Sequence, residues 1–217
     1  NIATARLLDR IGVTLIPTSS VNCCGAVTYH LNKQKESLVF IKQNIDAWWP
    51  FVEQGAEAIV ITASGCGTMI KEYGYLLAED PNYAEKAKII SELAKDLCEV
   101  FDDELADLKQ QILDPIKEKQ MASRRIAFHS PCSLQHGQQI KGLVESLLKT
   151  AGYTLTIIED SHLCCGSAGT YSLLQADLSE QLLDKKIEAI EKEEPDLIVT
   201  ANIGCLTQLQ SGTKTRV

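Results

Sequence analysis

No apolar run in this sequence approaches the roughly 20 residues that a membrane helix needs. The longest core-like stretches, such as Ala58–Ala63, have the length of buried strands. No secretory signal pattern opens the chain and its first residue is not Met, so we expect a trimmed chain from a reducing compartment. Basic residues are in deficit, with 21 Lys and Arg against 29 Asp and Glu and a net charge of −8. That balance excludes an electropositive nucleic-acid surface and works against anionic membranes. No GxGxxG follows a strand and no GxxxxGK[ST] occurs, which removes the usual cradles for NAD, FAD or ATP. Low-complexity tracts are missing, and 45% hydrophobic with 23% charged residues describes an ordinary folded chain. Missing too are the paired CxxC knuckles of zinc domains and the CxxCxxC run of small ferredoxins.

Cysteine is what the sequence has in excess. There are eight: Cys23, Cys24, Cys66, Cys98, Cys132, Cys164, Cys165 and Cys205. A chain of 217 residues can build a core without staples, so a disulfide framework is not needed. Six of the eight fall into an internal repeat, found by writing Thr4–Lys71 over Val144–Gln210. Leu7-Leu8 falls on Leu147-Leu148 and Gly12 on Gly152, a shift of 140. Cys23-Cys24-Gly25 falls on Cys164-Cys165-Gly166 at a shift of 141, and Gly65-Cys66 on Gly204-Cys205 at 139. The apolar run before that last cysteine repeats as well, Ala58–Ala63 against Asp196–Ala201.

The second repeat reads as β-α-β-α-β. Strands are predicted at Arg125–His129, Tyr153–Glu159 and Leu197–Ala201, and helices at about 138–150 and 171–192. The long helix carries Leu174, Leu178, Leu182, Ile187 and Ile190 as its apolar face. In the first repeat, strands are predicted at Val13–Pro17 and Ala58–Ala63. The expected fold is α/β, two tandem pseudo-twofold-related parallel repeats, with residues 1–79 the first, 80–123 a helical connector interrupted at Asp114-Pro115, and 124–217 the second. A counterpart of Cys132 would precede residue 1, so the first repeat is expected to be truncated at its N-terminus. Each paired cysteine then lies just past the carboxyl end of a strand, where parallel sheets place their ligands. Cys132, Cys164, Cys165 and Cys205 should converge there, and Cys23, Cys24 and Cys66 should form a second, incomplete set. Cys98, alone in the connector among Ala94, Phe101 and Leu105, reads as a small core residue.

Thiolates are soft ligands that select zinc, copper(I) or iron–sulfur clusters. Adjacent cysteines suit an inorganic core with several separated metal atoms better than one tetrahedral zinc, so iron–sulfur leads and zinc stays open. His30, His136 and His162 flank the cysteines and could supply a ligand, a hydrogen bond to sulfur or a proton. The plainer reading makes them flanking or helix-start residues. Trp48-Trp49 before Pro50 reads as packing or a subunit contact, and Arg124-Arg125 and Glu191–Glu194 as solvated surface.

The motifs Asn22-Cys23-Cys24-Gly25-Ala26, His129-Ser130-Pro131-Cys132 and Leu163-Cys164-Cys165-Gly166-Ser167-Ala168-Gly169 resemble the cysteine-rich CCG-domain family. That family includes cysteine-rich subunits of heterodisulfide reductases, lactate-utilisation iron–sulfur proteins and the iron–sulfur subunits of glycolate oxidase. The resemblance implies a [4Fe–4S]-type cluster held by the second-repeat cysteines. It also implies electron transfer from a flavin-containing catalytic subunit toward a quinone or other acceptor, within a multisubunit 2-hydroxy-acid (glycolate) oxidase. This chain alone should then not oxidise the substrate. It would lie in the cytoplasm, or at the inner membrane through its complex. One departure stands out: where heterodisulfide-reductase members close the motif with CxxC, this sequence has Met69 and Gln208. The other readings are a zinc-bound or metal-free structural module and a thiol–disulfide reductase acting through the CysCys pairs.

Overall fold

A computed structural model describes residues 2–108, 110 and 124–217. Its described residues form parallel strands in two sheets flanked by helices, an α/β arrangement. The chain divides into two compact units, Leu15–Leu97 on one side and Cys98–Val217 with the segment before residue 15 on the other. Helix α1 (Ile2–Arg10) opens the chain and ends before Gly12.

In the unit Leu15–Leu97, the short helix α2 (Ala26–His30) follows the first cysteine pair and leads into α3 (Gln34–Glu53). The buried residues of α3, Ser37, Ile41, Asn44, Ile45 and Trp48, recur at helical spacing and form one inward stripe. Pro50 does not end α3, because it falls in the last turn, where few hydrogen bonds remain to be lost. Strand β1 (Ile59–Ile61) runs into α4 (Ser64–Lys71) and α5 (Tyr73–Leu76), and α6 (Ala84–Leu93) leads directly to strand β2 (Ala94–Asp96). The two strands pair in parallel, with Ile59 opposite Ala94 and Ile61 opposite Asp96. Ile41, Ile45, Trp48, Met69, Ile70, Tyr73 and Ile90 share one core.

Beyond β2 come α7 (Leu97–Asp103) and α8 (Leu105–Leu108). The expected connector is therefore not wholly helical: Ala94, read as a position on a helix face, belongs to a strand. Backbone pairing with β1 outweighs the helical spacing of its apolar neighbours. The Asp114-Pro115 interruption lies outside the described residues.

The second unit is built on three parallel strands, β3 (Arg125–His129), β4 (Thr154–Leu155) and β5 (Leu197–Thr200), in the order β4-β3-β5. The central strand is buried from Ile126 to His129. Alternation along it sends Ala127 toward Leu183, Ile187, Ile190 and Leu209, and Phe128 toward Leu134 and Cys98. Cys98 is thus a core residue, as its apolar neighbours in sequence imply.

Four predicted elements end differently from expectation. Val13–Pro17 pairs with no strand among the described residues: Pro17 has no N–H to offer, and Leu15 and Ile16 are exposed. The helix predicted from about 138 begins at Leu143 as α9 (Leu143–Thr150), because Gln139 and Gly142 adopt positive φ and a π turn occupies Ser133–Gly137. The helix predicted over 171–192 breaks at Gln175 into α10 (Tyr171–Leu174) and α11 (Ala176–Glu191). Leu174 on α10 and Leu178 in the first turn of α11 are exposed, while Ser179, Leu183, Lys186, Ile187 and Ile190 form the buried stripe of α11. Strand β4 is shorter than predicted, since beyond Thr156 the backbone of Ile157 turns to the Glu193 carboxylate instead of a neighbouring strand. Helix α12 (Ile203–Gly212) closes the unit. No helix of the described residues is long and apolar enough to cross a membrane.

Candidate functional site

Both cysteine pairs sit on loops that only glycine can complete. Gly25 and Gly166 hold φ of +88° and +91°, in the left-handed region. Each is also pressed against a following helix. Ser37 Oγ donates to the Gly25 carbonyl at 2.9 Å, and Ser179 Oγ donates to the Gly166 carbonyl at 2.9 Å. A Cβ on Gly25 would meet Ser37 Oγ at 2.7 Å, and one on Gly166 would meet the Ser179 backbone oxygen at 2.4 Å. The third residue of each CCG motif is thus set by backbone geometry, and a serine on the helix locks each loop.

In the second unit the four cysteines meet. Cys132 follows the central strand β3, Cys164-Cys165 the edge strand β4, and Cys205 the other edge strand β5. Their side chains form a hydrogen-bonded series, Cys132 to Cys164, Cys164 to Cys165 and Cys165 to Cys205. The direction of the pKa shift alternates along it. Cys132 and Cys165 are pushed up, each chiefly by its bond to Cys164 with burial adding to it. Cys164 is pushed down because Cys132 and then Cys165 donate to it, and Cys205 falls to about 6, first through Cys165. The hydrogen bonds thus favour the thiolate at Cys164 and Cys205, the form that binds metals.

The backbone reinforces this pattern. Gly166 N–H donates to Cys164 Sγ at 3.3 Å, and the backbone of Ser167 and Ser133 serves Cys165 and Cys132. Asn202 caps α12 by accepting from Gly204 N–H at 2.8 Å and donates to Ser133 Oγ at 3.2 Å, tying the Cys205 turn to the residue after Cys132. Lys186 lies almost wholly buried, with Nζ donating to the Asp160 carbonyl at 2.9 Å. Burial pushes its pKa down, while the nearby Cys165, Asp160 and Cys164 pull the other way. A cavity of about 490 Å³, lined in part by Asp160, Leu163, Lys185 and Lys186, opens beside Cys164.

In the unit Leu15–Leu97, Cys23, Cys24 and Cys66 come together in the same manner. Cys24 hydrogen-bonds Cys66 and is itself bonded by Cys23. The bond from Cys24 lowers Cys66 to about 7, and it pushes Cys24 up with burial behind it. Support comes from below: Asn44 Nδ2 donates to the Cys23 carbonyl at 3.0 Å and to Tyr73 Oη at 3.2 Å, and Tyr73 Oη donates to the Cys24 carbonyl at 2.9 Å. Tyr73→Phe should leave a buried carbonyl and a buried amide short of a partner and cost about 1–3 kcal/mol in equilibrium unfolding. Tyr75→Phe, on a ring that is 83% exposed, should be neutral.

The flanking histidines behave otherwise. His30, His136 and His162 are all exposed. His30 meets the Tyr29 ring edge-on at 5.9 Å, and His136 Nε2 lies 3.3 Å from the His162 carbonyl. The histidine that does reach the sulfurs is His129, the last residue of β3, which is only 2% exposed. One of its ring nitrogens and the sulfurs of Cys165 and Cys205 all lie within 4.8 Å of one another. In the sequence His129 stands only as the first residue of His-Ser-Pro-Cys, with no role of its own. The available signal is strand alternation, which puts His129 on the same face as Ala127. Gln208, which stands where a final cysteine would close the motif, donates to Ser179 Oγ at 3.0 Å.

Donors of this kind, four converging thiols with backbone N–H groups aimed at sulfur and a buried ammonium beside them, suit a thiolate-bound metal centre. The comparisons agree with that chemistry. The cysteine-rich domain model CCG matches residues 1–71 and 126–210. The chain is 51% identical over its whole length to the glycolate oxidase iron-sulfur subunit of Escherichia coli (strain K12), and 32% identical over 213 residues to the probable glycolate oxidase iron-sulfur subunit of Bacillus subtilis (strain 168). It spans about half the length of these relatives, 51% and 46% respectively. Lactate utilization protein A of Anoxybacillus flavithermus is 29% identical over 211 residues, which cover 95% of this chain and 82% of that protein. The matched domain takes in both converging cysteine sets and leaves Cys98 outside, and on that ground the chain belongs to the CCG cysteine-rich domain family.

Proposed function

We propose that this chain is the electron-carrying part of a multisubunit 2-hydroxy-acid oxidase, with glycolate the substrate of the whole complex. It would stand between a flavin-containing catalytic subunit and a quinone or other acceptor. The observation that carries the reading is the meeting of Cys132, Cys164, Cys165 and Cys205 in one hydrogen-bonded sulfur series. These four would hold an iron–sulfur cluster, and Cys23, Cys24 and Cys66 a second centre that needs a further ligand. A bound cluster supplies one-electron chemistry at a potential set by sulfur hydrogen bonds, charge and burial. This chain's contributions are the Gly166, Ser167 and Ser133 backbone donors, the Lys186 charge, and a rim that gives Cys164 access to solvent through the adjoining cavity. In this reading the flavin belongs to a partner, since this sequence carries neither GxGxxG after a strand nor GxxxxGK[ST]. Exposed Leu163, Leu173, Leu174 and Ile203 flank the second cysteine pair and Cys205 in sequence, the kind of apolar side chains a partner would cover. We place the assembly in the cytoplasm, at most peripheral to the inner membrane.

The test is iron, zinc and acid-labile sulfide on anaerobically prepared protein, followed by glycolate-dependent reduction of an artificial acceptor with and without the flavin subunit. About four iron and four sulfide per occupied site, with electron flow only when both subunits are present, is the expected result. Stoichiometric zinc without sulfide would instead make the chain a structural module. Reduction of a disulfide by metal-free protein would make it a thiol–disulfide reductase.

A further inference from the structure

We propose that His129 is a ligand of the second-unit metal centre, binding through the ring nitrogen that faces Cys165 and Cys205. The inference deepens the cluster reading and rests on it.

Burial is the first ground. A buried imidazole normally satisfies at least one nitrogen, because an orphaned polar atom in the interior costs about 1–3 kcal/mol. His129 is 2% exposed, and among the described residues its ring nitrogens find no hydrogen-bond partner besides the Cys205 sulfur, which the imidazole helps to hold as thiolate. Position is the second ground. His129 ends the central strand, with Thr200 directly opposite it on β5, so its backbone is fixed and its side chain is committed to the face that carries Ala127, Cys165 and Cys205. One ring nitrogen shares a space no wider than 4.8 Å with both sulfurs, the separation expected of ligands converging on one metal site.

The third ground is the vacated end of the motif. Gln208 stands where CxxC members carry their last cysteine, and its amide is held by Ser179. That amide is spent on the serine that locks the Gly166 loop, while a ring nitrogen of the buried His129 lies with the Cys165 and Cys205 sulfurs. Metal-ligating histidines hold their second nitrogen with an oxygen acceptor. Thr200 Oγ1, on the residue paired with His129 across the sheet, is buried and equally without a partner.

The predicted centre therefore has mixed sulfur and nitrogen ligation. Imidazole in place of thiolate removes a negative charge from the ligand set and raises the reduction potential, as it does in other mixed Cys/His clusters.

The experiment uses the full chain, prepared anaerobically with natural and with ¹⁵N-labelled histidine, its cluster brought to a paramagnetic state and read by pulsed electron paramagnetic resonance. A strongly coupled nitrogen that changes on labelling is expected. It should vanish in His129→Cys, which keeps a ligand and a full complement of iron and sulfide but lowers the reduction potential. It should persist in His136→Asn and His162→Asn. A cluster with full iron and sulfide and no strongly coupled histidine nitrogen in the unaltered chain would overturn the inference while leaving the cluster reading intact. Protein that binds no iron or sulfide at all would overturn both, and metal analysis tells the two failures apart.

Discussion

Cys165→Ser is expected to empty the second-unit site of metal while far-UV circular dichroism stays close to that of the unaltered chain. Cys165 is fully buried and stands in the middle of the sulfur series, bonded to Cys164 on one side and Cys205 on the other. Loss of a residue that merely orients a ligand weakens metal binding about 10–100-fold, so loss of a central sulfur should exceed about 100-fold. A serine hydroxyl is a harder donor and also stays protonated at neutral pH, so it replaces neither the softness nor the charge of a thiolate. Cys98→Ala is the matched control. Cys98 is buried beside Phe128 and Leu134, away from the sulfur series, and its loss should cost stability without changing iron or sulfide content. If Cys98→Ala emptied the centre and Cys165→Ser did not, the assignment of the four cysteines would be wrong.

Gly166→Ala should be the most damaging single methyl added to the second unit. The alanine would have to hold φ near +91°, which costs a residue with a Cβ about 1–2 kcal/mol. Its Cβ would also fall 2.4 Å from the Ser179 backbone oxygen, and backbone of α11 cannot swing aside as a side chain would. Overpacking of that kind adds about 1–3 kcal/mol. Together these predict a loss of about 3 kcal/mol in equilibrium unfolding, along with displacement of the loop that aims the Gly166 N–H at Cys164. Gly142→Ala separates the two causes. It has φ of +75° but nothing within 4 Å of the added Cβ, so only the conformational cost of about 1 kcal/mol should appear. Similar losses at both positions would show that the close approach to Ser179 contributes little.

The elements legible in the sequence are those whose local pattern and tertiary role coincide. Arg125–His129 reads as a strand and is one, since an apolar run closed by Ser-Pro suits a central strand covered on both faces. The α11 region is legible as a helix, but its face is not. Leu174 and Leu178 face solvent, and packing puts Ser179 and Lys186 inside. A hydrophobic stripe reports which face ought to be buried. It does not report that a serine must lock a loop or that a lysine must lie beside thiols. Strand β2 is illegible for a related reason: three residues, Ala-Lys-Asp, carry no strand pattern and become one only by pairing with β1.

The sequence by itself determined which cysteines could act together. Two CCG motifs in register, each followed some forty residues later by Gly-Cys, place six sulfurs past the ends of predicted strands, and Cys132 of His-Ser-Pro-Cys adds a seventh. Glycine in each motif is plain in the sequence, but its reason, a positive φ beside a serine on the following helix, belongs to the tertiary structure. Only the tertiary structure decided the order of the sulfurs, which of them hydrogen-bond, and the approach of His129 to them in preference to His30, His136 or His162. Proximity along the chain favoured the flanking histidines. Strand pairing and burial favoured the one three residues before Cys132, because a site formed by separate strands is set by which side chains the sheet turns to the same face.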